Sequence, residues 1–257
     1  MAEDEDRWGA LPIAVEQQLA WARDPSCPPH VLAGLVFDWP FKTAACFLVA
    51  LGHPAFPDHL RQITLLRLVT RNWGAAALRD LPDCDPNTLC ELVTATTVYH
   101  ATGDERESGM PLLKAVAEHP RCPETLLAYL AGHSSLAEAV ARHPNTPPEV
   151  LHSVVRDEMM RINSSGHRGP GPACVQVLIH PRCPPALRDQ LMDPKHLVEP
   201  EGGNWRHWLL KEPQCPVPML VRILRQMQES NQTVWVKAVL EHPNLPEEYR
   251  ELGRVAQ

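Results

Sequence analysis

The sequence of 257 residues has few of the features that mark membrane proteins, nucleic-acid-binding proteins or disordered proteins. No apolar run approaches the roughly 20 residues that an α-helix needs to cross a bilayer, so no membrane span is predicted. Lys and Arg total 24 against 31 Asp and Glu, which gives a net charge of −7 and argues against binding to nucleic acid or to anionic membranes. Glycine is scarce, at 13 residues, and no low-complexity tract is present, so the composition gives no sign of disorder.

Motifs of the common catalytic classes are also absent. The sequence contains no G-x-S-x-G, H-E-x-x-H, P-loop or dinucleotide-binding pattern. The glycine-rich stretch GHRGPG, residues 166–171, follows no predicted strand and lacks the P-loop spacing. Asp104, Glu105 and Glu107 are more typical of a solvated loop than of an acid–base pair. We therefore predict that the protein is not an enzyme and has no catalytic residues.

The first residues, MAEDEDR, are acidic and lack the basic start of a secretory signal peptide. We expect residues 1–10 to form a flexible acidic tail and residues 11–257 to form a single repeat domain. The expected location is the cytoplasm, where the eight cysteines stay reduced.

Proline, by contrast, is abundant: 27 residues, about twice the average usage. The prolines recur in eight copies of one phrase, which we align on the residue before the first proline and call the anchor. The anchors are Asp24, His53, Leu81, His119, His143, His180, Glu212 and His242. A second proline lies four residues after the anchor in seven copies, and the copy anchored at Leu81 has Asp85 there and Pro86 next.

Apolar residues recur three residues before the anchor and seven and eleven residues after it, the spacing of one helical face. Each copy is therefore predicted to contain a helix B that ends at the anchor, a proline turn, and a helix A that starts at the second proline. A residue before proline is disfavoured in the α region, so the anchor stops helix B. Proline costs little in the first turn of a helix, so the second one can start helix A. One such pair cannot bury its apolar face alone, whereas stacked neighbours can.

The best copies of the phrase are AVARHPNTPPEVLHSVVRD, residues 139–157, and AVAEHPRCPETLLAYLAG, residues 115–132. They resemble the leucine-rich repeat variant family, whose repeats carry a V-A-x-N-P-x-T-P-x-x-x-L-x-x-L-A type phrase, over most of the chain from about Leu19. The resemblance implies an all-α fold, a right-handed α-solenoid of about eight helix–proline-turn–helix repeats related in architecture to HEAT-like repeats. Most copies here have His where the family often has Asn. A founding member carries an iron–sulfur cluster on an N-terminal cysteine group, but nothing before Cys27 here could bind one, so we expect no cofactor.

Five cysteines occupy one repeat position, three residues after the anchor. They are Cys27, Cys84, Cys122, Cys183 and Cys215. Equivalent residues of stacked repeats lie about one helix diameter, ~10 Å, apart, which is beyond the reach of a disulfide. We interpret them as small buried fillers of the corner rather than as metal ligands or redox groups, and we predict no metal site.

Five anchors are histidines. A histidine that recurs in this way is more typical of a corner residue that bonds a backbone group of its own or the next repeat than of a catalytic group. A second hypothesis is that the repeated imidazoles titrate near neutral pH and loosen the repeats below about pH 6.

Anchor spacing is uneven, and the extra residues are predicted to fall between helix A and the next helix B, in residues 98–109, 162–171 and 195–204. In a solenoid these connections share one edge, and insertions there often build a binding face, although long loops are also tolerated without any function. Trp39 and Trp73 lie on the same side, and the tryptophans as a set are either core residues or interface residues. The predicted partner-binding residues are Trp39, Arg71, Trp73, His100, Asp104, Arg106, His167, Arg168, Lys195, His196, Asn204 and Trp208. We call this set the predicted rim.

Three functional hypotheses follow from these observations. The first is a non-catalytic scaffold that presents an extended solenoid surface to a protein or peptide partner. The alternative is a nucleic-acid-binding or DNA-repair protein similar to the HEAT-like DNA glycosylases, because Trp and Arg occur together at residues 71–73 and 204–208. The negative net charge and the lack of a basic stripe weigh against this alternative. A metal- or redox-linked protein that uses the cysteines is a third, weaker hypothesis.

Overall fold

A computed structural model describes residues 14–37, 44–70, 73–102, 109–165, 171–192, 209–213, 215–229 and 233–255. Over these ranges the protein is helical and contains no strand, which confirms the all-α prediction. The chain forms two compact units, Met1–Leu130 and Ala131–Gln257.

The described part of the first unit contains eight α-helices. They are α1 (Val15–Arg23), α2 (Pro29–Phe37), α3 (Ala44–Gly52), α4 (Asp58–Thr70), α5 (Trp73–Asp80), α6 (Pro86–Thr102), α7 (Met110–Glu118) and α8 (Glu124–Leu130). The odd-numbered helices are the predicted B helices and pack in sequence, α1 on α3, α3 on α5 and α5 on α7. Of the A helices, α4 packs on α6.

The second unit begins with a 3-10 turn, Ser134–Leu136, and its described residues then form seven α-helices. These are α9 (Ala137–Arg142), α10 (Pro148–Ser165), α11 (Pro172–Ile179), α12 (Pro185–Leu191), α13 (Val217–Glu229), α14 (Thr233–Leu240) and α15 (Glu247–Val255). Residues 209–211 are also helical. Within this unit, helix α9 packs on α11, and α13 packs on α14.

All eight corners have the same backbone hydrogen bonds. The anchor N–H donates to the carbonyl three residues before it, as His119 does to Val116 at 3.1 Å. The anchor carbonyl accepts from the residue three positions later, as His119 does from Cys122 at 2.9 Å. Anchors such as His119, with φ −72° and ψ 129°, have left the helical region, as expected for a residue before proline. The repeat predicted from the sequence is therefore present in the backbone.

One detail of the predicted corner is corrected. The second proline was expected to lie in the first turn of helix A, but helix A begins one residue later, for example at Glu124 after Pro123 and at Pro185 after Pro184. Pro184 is the N-cap of its helix, with φ −59° and ψ 139°. At an N-cap the residue needs no N–H, while its carbonyl accepts the first helical bond, as Pro123 does from Leu127 at 3.0 Å.

Helix A also varies in length more than predicted. The residues 98–109 and 162–171 were predicted to be connections, but residues 98–102 and 162–165 belong to α6 and α10, which contain 17 and 18 residues. By comparison, α8 contains seven residues. Part of the extra sequence therefore lengthens helix A instead of forming a loop.

Candidate functional site

Most of the predicted rim lies outside the described residues, so it stays a prediction. The residues outside are Trp39, Arg71, Asp104, Arg106, His167, Arg168, Lys195, His196, Asn204 and Trp208. The two described positions, Trp73 and His100, belong to α5 and α6.

Trp73 is a packing residue in this structure. It is the first residue of α5 and is half-buried, and its ring meets Phe47 of α3 edge-on, with ring centroids 5.8 Å apart and an interplanar angle of 68°. Such T-shaped pairs add about 0.5–1.5 kcal/mol beyond the buried area. Trp73 therefore contributes to packing between helices, and its place in the predicted rim stays a prediction. The contact also joins two consecutive B helices.

A different surface of the first unit forms a groove of about 650 Å³ between α4 and α6. We call it the α4–α6 groove. Its walls include three aliphatic side chains that are unusually exposed: Ile63 (46%) and Leu66 (49%) on α4, and Val98 (60%) on α6. Aliphatic side chains clustered at this exposure mark binding surfaces more often than isolated ones do.

Threonine hydroxyls on α6 do not make the groove strongly polar. Thr94 lies in the groove wall, and its hydroxyl donates to the carbonyl of Cys90 at 2.9 Å. Thr97, on the same helix, donates to Val93 at 2.8 Å. Because each hydroxyl has only one hydrogen, these residues have no donor left for a ligand and contribute mainly a methyl group and an acceptor oxygen.

Charge in the α4–α6 groove is confined to one ion pair. Arg61 Nη1 lies 3.1 Å from Glu91 Oε2 and also donates to the carbonyl of Leu51 at 2.8 Å. The side chain of Arg61 is 24% exposed and that of Glu91 36%. The pair neutralises itself, so the groove offers neither a free cation nor a free anion to a ligand.

Cys90 also lines the groove, but its thiol is not an activated nucleophile. Desolvation by burial, together with the carboxylates of Asp85 and Glu91, raises the pKa of Cys90 above its ordinary value. A nucleophilic cysteine needs the opposite environment, one that favours the thiolate. The groove therefore suits binding better than covalent catalysis.

Tyr129 of α8 is 47% exposed and extends the uncharged surface beyond the groove. Its hydroxyl lies 3.2 Å from Thr97 Oγ1. Since the Thr97 hydrogen is used toward Val93, Tyr129 is the donor in this contact. The hydrogen bond connects the A helices α6 and α8.

The α4–α6 groove was not predicted from the sequence, although a signal for it was present. Ile63, Leu66 and Val98 are apolar positions outside the stripe at seven and eleven residues after the anchor that faces the core. A helix with a single buried face normally carries polar residues at such positions.

The repeat position of the cysteines is buried in all eight copies, which confirms the filler interpretation. Phe56, Thr146 and Leu245 fill it where cysteine is absent, and all three are at most 3% exposed. Burial raises the pKa of Cys84, Cys122 and Cys215 to about 12, with added repulsion from nearby acidic groups or thiols. None of the eight cysteines forms a disulfide bond, and no group of three or more His, Cys, Asp or Glu in the described ranges could hold a metal ion.

The anchor histidines are also buried and make a repeated pair of hydrogen bonds. In His53, Nδ1 lies 3.0 Å from the amide nitrogen of Ala55, and Nε2 lies 2.9 Å from the carbonyl of Asp24, the preceding anchor. An amide can only donate and a carbonyl can only accept, so Nδ1 is unprotonated and Nε2 carries the hydrogen. The prediction of a corner residue that bonds backbone groups is confirmed.

The same arrangement recurs at three further anchors. His119 reaches the carbonyl of Leu81 at 3.0 Å, His180 that of His143 at 2.9 Å, and His242 that of Glu212 at 3.1 Å. In each of these three histidines, Nδ1 accepts the backbone N–H of the residue two positions later, at 3.0–3.2 Å. His143 Nδ1 makes the same contact. One side chain thus holds its own corner and joins it to the corner before.

Comparison with known proteins identifies no relative. No family model matches the chain, and neither curated proteins nor solved structures give a significant match. The resemblance to the leucine-rich repeat variant family therefore rests on the residues of the repeat alone. Among the described helices, none combines the length and the apolar character that crossing a membrane requires.

Proposed function

We propose that this protein is a non-catalytic interaction scaffold, a right-handed α-solenoid of leucine-rich-repeat-variant type whose α4–α6 groove binds an uncharged, apolar segment of a protein partner. The observation that supports it best is the exposure of Ile63, Leu66 and Val98 around one groove. The recurrent corners and the packing of consecutive B helices support the solenoid, because repeats that stack in this way bury one continuous core.

The chemistry of the groove favours an amphipathic helix as the bound segment. Leu66 follows Ile63 by three residues on one wall, and Val98 follows Thr94 by four on the other, so each wall presents residues from one face of a helix. A groove between two helices that is lined in this way accepts apolar residues at i, i+3 or i+4, and i+7 of a bound helix. Since Arg61 and Glu91 neutralise each other, no charge on the partner is selected.

The second unit provides a contrast. Its A helices carry exposed charged residues where the groove is neutral, including Arg156 and Asp157 on α10, Asp189 on α12 and Arg225 on α13. This difference favours the first unit as the binding unit. The groove contains one guanidinium, already paired, which gives the nucleic-acid alternative no support there.

Lysine substitutions in the groove test this proposal. Val98→Lys and Leu66→Lys place a charge among apolar contacts, so we expect partner recovery in a pull-down to fall at least about tenfold, since burying an unpaired charge costs well over 1.4 kcal/mol. The matched control is Met160→Lys, because Met160 is 57% exposed and occupies the same repeat position in the second unit as Val98 does in the first.

A partner that is lost with Val98→Lys but retained with Met160→Lys, after nuclease treatment, supports the groove. Equal recovery with all three variants contradicts it. Thermal unfolding of each variant checks that the fold is intact.

A further inference from the structure

We propose that His180 couples the folding of its repeat to proton release, so that this corner is locked near neutral pH and loosens between pH 7 and pH 5. The inference concerns the corners and is independent of the partner proposed for the groove. It rests on the repeated geometry of the anchor imidazoles.

The lock depends on an unprotonated Nδ1. In the five anchors His53, His119, His143, His180 and His242, Nδ1 accepts a backbone N–H from the residue two positions later. A proton on Nδ1 turns this acceptor into a donor that faces another donor, so the bond is lost. The rings are only 2–4% exposed, so water cannot easily replace the lost partner.

Charged groups close to the corners decide how far protonation is opposed. Around His180, burial lowers the imidazole pKa and the Arg182 guanidinium lowers it further, whereas the bond to the carbonyl of His143 raises it. Arg188 Nη2 also approaches the His180 carbonyl at 3.5 Å. At this corner the nearby side-chain charges are therefore cationic and oppose an imidazolium.

The other corners carry charges of both signs. Arg121 donates to the carbonyl of Asp83 beside His119, and the Asp83 carboxylate pairs with Arg23 at 3.3 Å. Arg250 donates to the carbonyl of His242 at 2.9 Å.

Acidic side chains occur beside two corners. Asp24 is the anchor of the repeat before that of His53, and its carboxylate accepts hydrogen bonds from the amide and the hydroxyl of Ser26. Glu212 is the anchor of the repeat before that of His242, and its carboxylate accepts a hydrogen bond from the side-chain amide of Gln176 at 2.9 Å. At His180 the adjacent charged groups are instead the guanidiniums of Arg182 and Arg188.

The sign of the pH effect follows from where the proton can bind. The unfolded chain protonates His180 below the ordinary histidine pKa of ~6.5, whereas the folded corner opposes that proton because burial and Arg182 lower the imidazole pKa. The unfolded state then binds more protons, so the stability contributed by this corner is full above about pH 6.5 and falls as the pH drops below it. Exclusion of this proton raises the unfolding constant up to about tenfold between pH 7.5 and pH 5.5.

The test compares buried and exposed histidines. Unfolding by urea is measured at pH 5.5, 6.5 and 7.5 for the wild type, for His180→Asn, and for His59→Asn and His152→Asn. Asparagine keeps an acceptor oxygen for the corner but does not titrate. His59 and His152 are exposed residues of α4 and α10 and serve as matched controls in the two units.

We expect the pH dependence of the unfolding constant to shrink by up to about tenfold in His180→Asn and to remain that of the wild type in both controls. A wild-type midpoint that stays flat between pH 5.5 and 7.5, or a His180→Asn variant that keeps the full pH dependence, would overturn the proposal.

A second measurement applies even if an anchor variant fails to fold. Long-range ¹H–¹⁵N spectra of the wild type at pH 6 report the tautomer of each imidazole. The expected result is a neutral Nε2–H form at His180. A His180 ring that is an imidazolium in the folded protein at this pH contradicts the proposal.

Discussion

Several side chains near the corners form hydrogen bonds to backbone groups rather than to other side chains. The imidazole of His119 holds the amide of Arg121 and the carbonyl of Leu81, and the guanidinium of Arg121 reaches the carbonyl of Asp83. In the second unit, His180 and Arg182 repeat these contacts with His143 and Asn145. Carbonyls of the proline turns lie outside the regular helical hydrogen bonding, and these side chains give them an additional donor.

Cysteines of the corners also contact backbone groups. A thiol fills space in the corner and can make a weak hydrogen bond to a carbonyl. Cys27, Cys122 and Cys183 place Sγ 3.7–3.9 Å from the carbonyl of the following proline. A buried thiol behaves as a small apolar group with a weak donor, which is what this position requires.

Thiol labelling tests this assignment. With native protein at pH 8, we expect iodoacetamide to modify Cys90 first, because it is the half-buried cysteine and the other seven are buried. Burial raises the pKa of Cys122 and Cys215 to about 12, so almost no thiolate is available there. Peptide mass spectrometry should show all eight modified only after unfolding. Cys90→Ser should remove the fast phase, and rapid native labelling of Cys122 would contradict the assignment.

At the scale of helices, the backbone hydrogen bonds of the corner are the same in every repeat, whereas the length of helix A varies. Every anchor N–H bonds to the carbonyl three residues earlier, yet helix A ranges from the seven residues of α8 to the 18 of α10. Proline explains the difference, because it fixes the start of helix A while nothing comparable fixes its end.

The start of α11 depends on a close approach between α10 and Gly171. The side chain of Glu158 on α10 is 4% exposed and pairs with Arg161 at 2.9 Å, and a Cβ on Gly171 would overlap its Oε1 atom. Glycine is required here for space, since its φ of −80° is open to any residue.

We expect Gly171→Ala to destabilise the protein by about 1–3 kcal/mol, because the buried carboxylate has to move. The matched control is Gly52→Ala at the end of α3, where a Cβ meets only ordinary contacts at 3.7 Å or more. That change should be neutral or stabilising by up to about 1 kcal/mol. Urea unfolding measures both, and equal effects of the two substitutions would show that Glu158 can move without cost.

At the scale of the whole chain, charge separates the two candidate functions. The net charge is −7, and the sequence places 24 basic residues without a continuous stripe. In the described ranges, the arginines near the corners already bond to carbonyls or carboxylates, as Arg61, Arg121 and Arg182 do. Phosphate binding depends on basic groups that can release counterions, so this distribution favours a protein partner.

Retention on immobilised duplex DNA is the corresponding measurement. We expect the protein to pass through at about 50 mM salt, where a DNA-binding protein with several phosphate contacts binds strongly. A basic DNA-binding protein of similar size provides the positive control. Retention that weakens steeply with added salt would support the nucleic-acid alternative and would make Trp73, Trp205 and Trp208 the first residues to mutate.

The sequence by itself determined the features that depend on neighbours along the chain. The anchor, the two prolines and the apolar spacing predict where helix B ends and which position is buried, because proline restricts the backbone locally and one helical face repeats every three to four residues. The burial of Cys27 and Cys122 and the corner role of His53 follow from that pattern.

Only the tertiary structure decided which distant groups meet. The bond from His180 Nε2 to the carbonyl of His143 spans 37 residues, and its partner depends on how consecutive repeats pack. The same holds for the α4–α6 groove, since Ile63 and Val98 come together only when α4 and α6 lie side by side. Local rules set each corner, whereas the exposed surface depends on packing between repeats, which the spacing of residues along the chain does not encode.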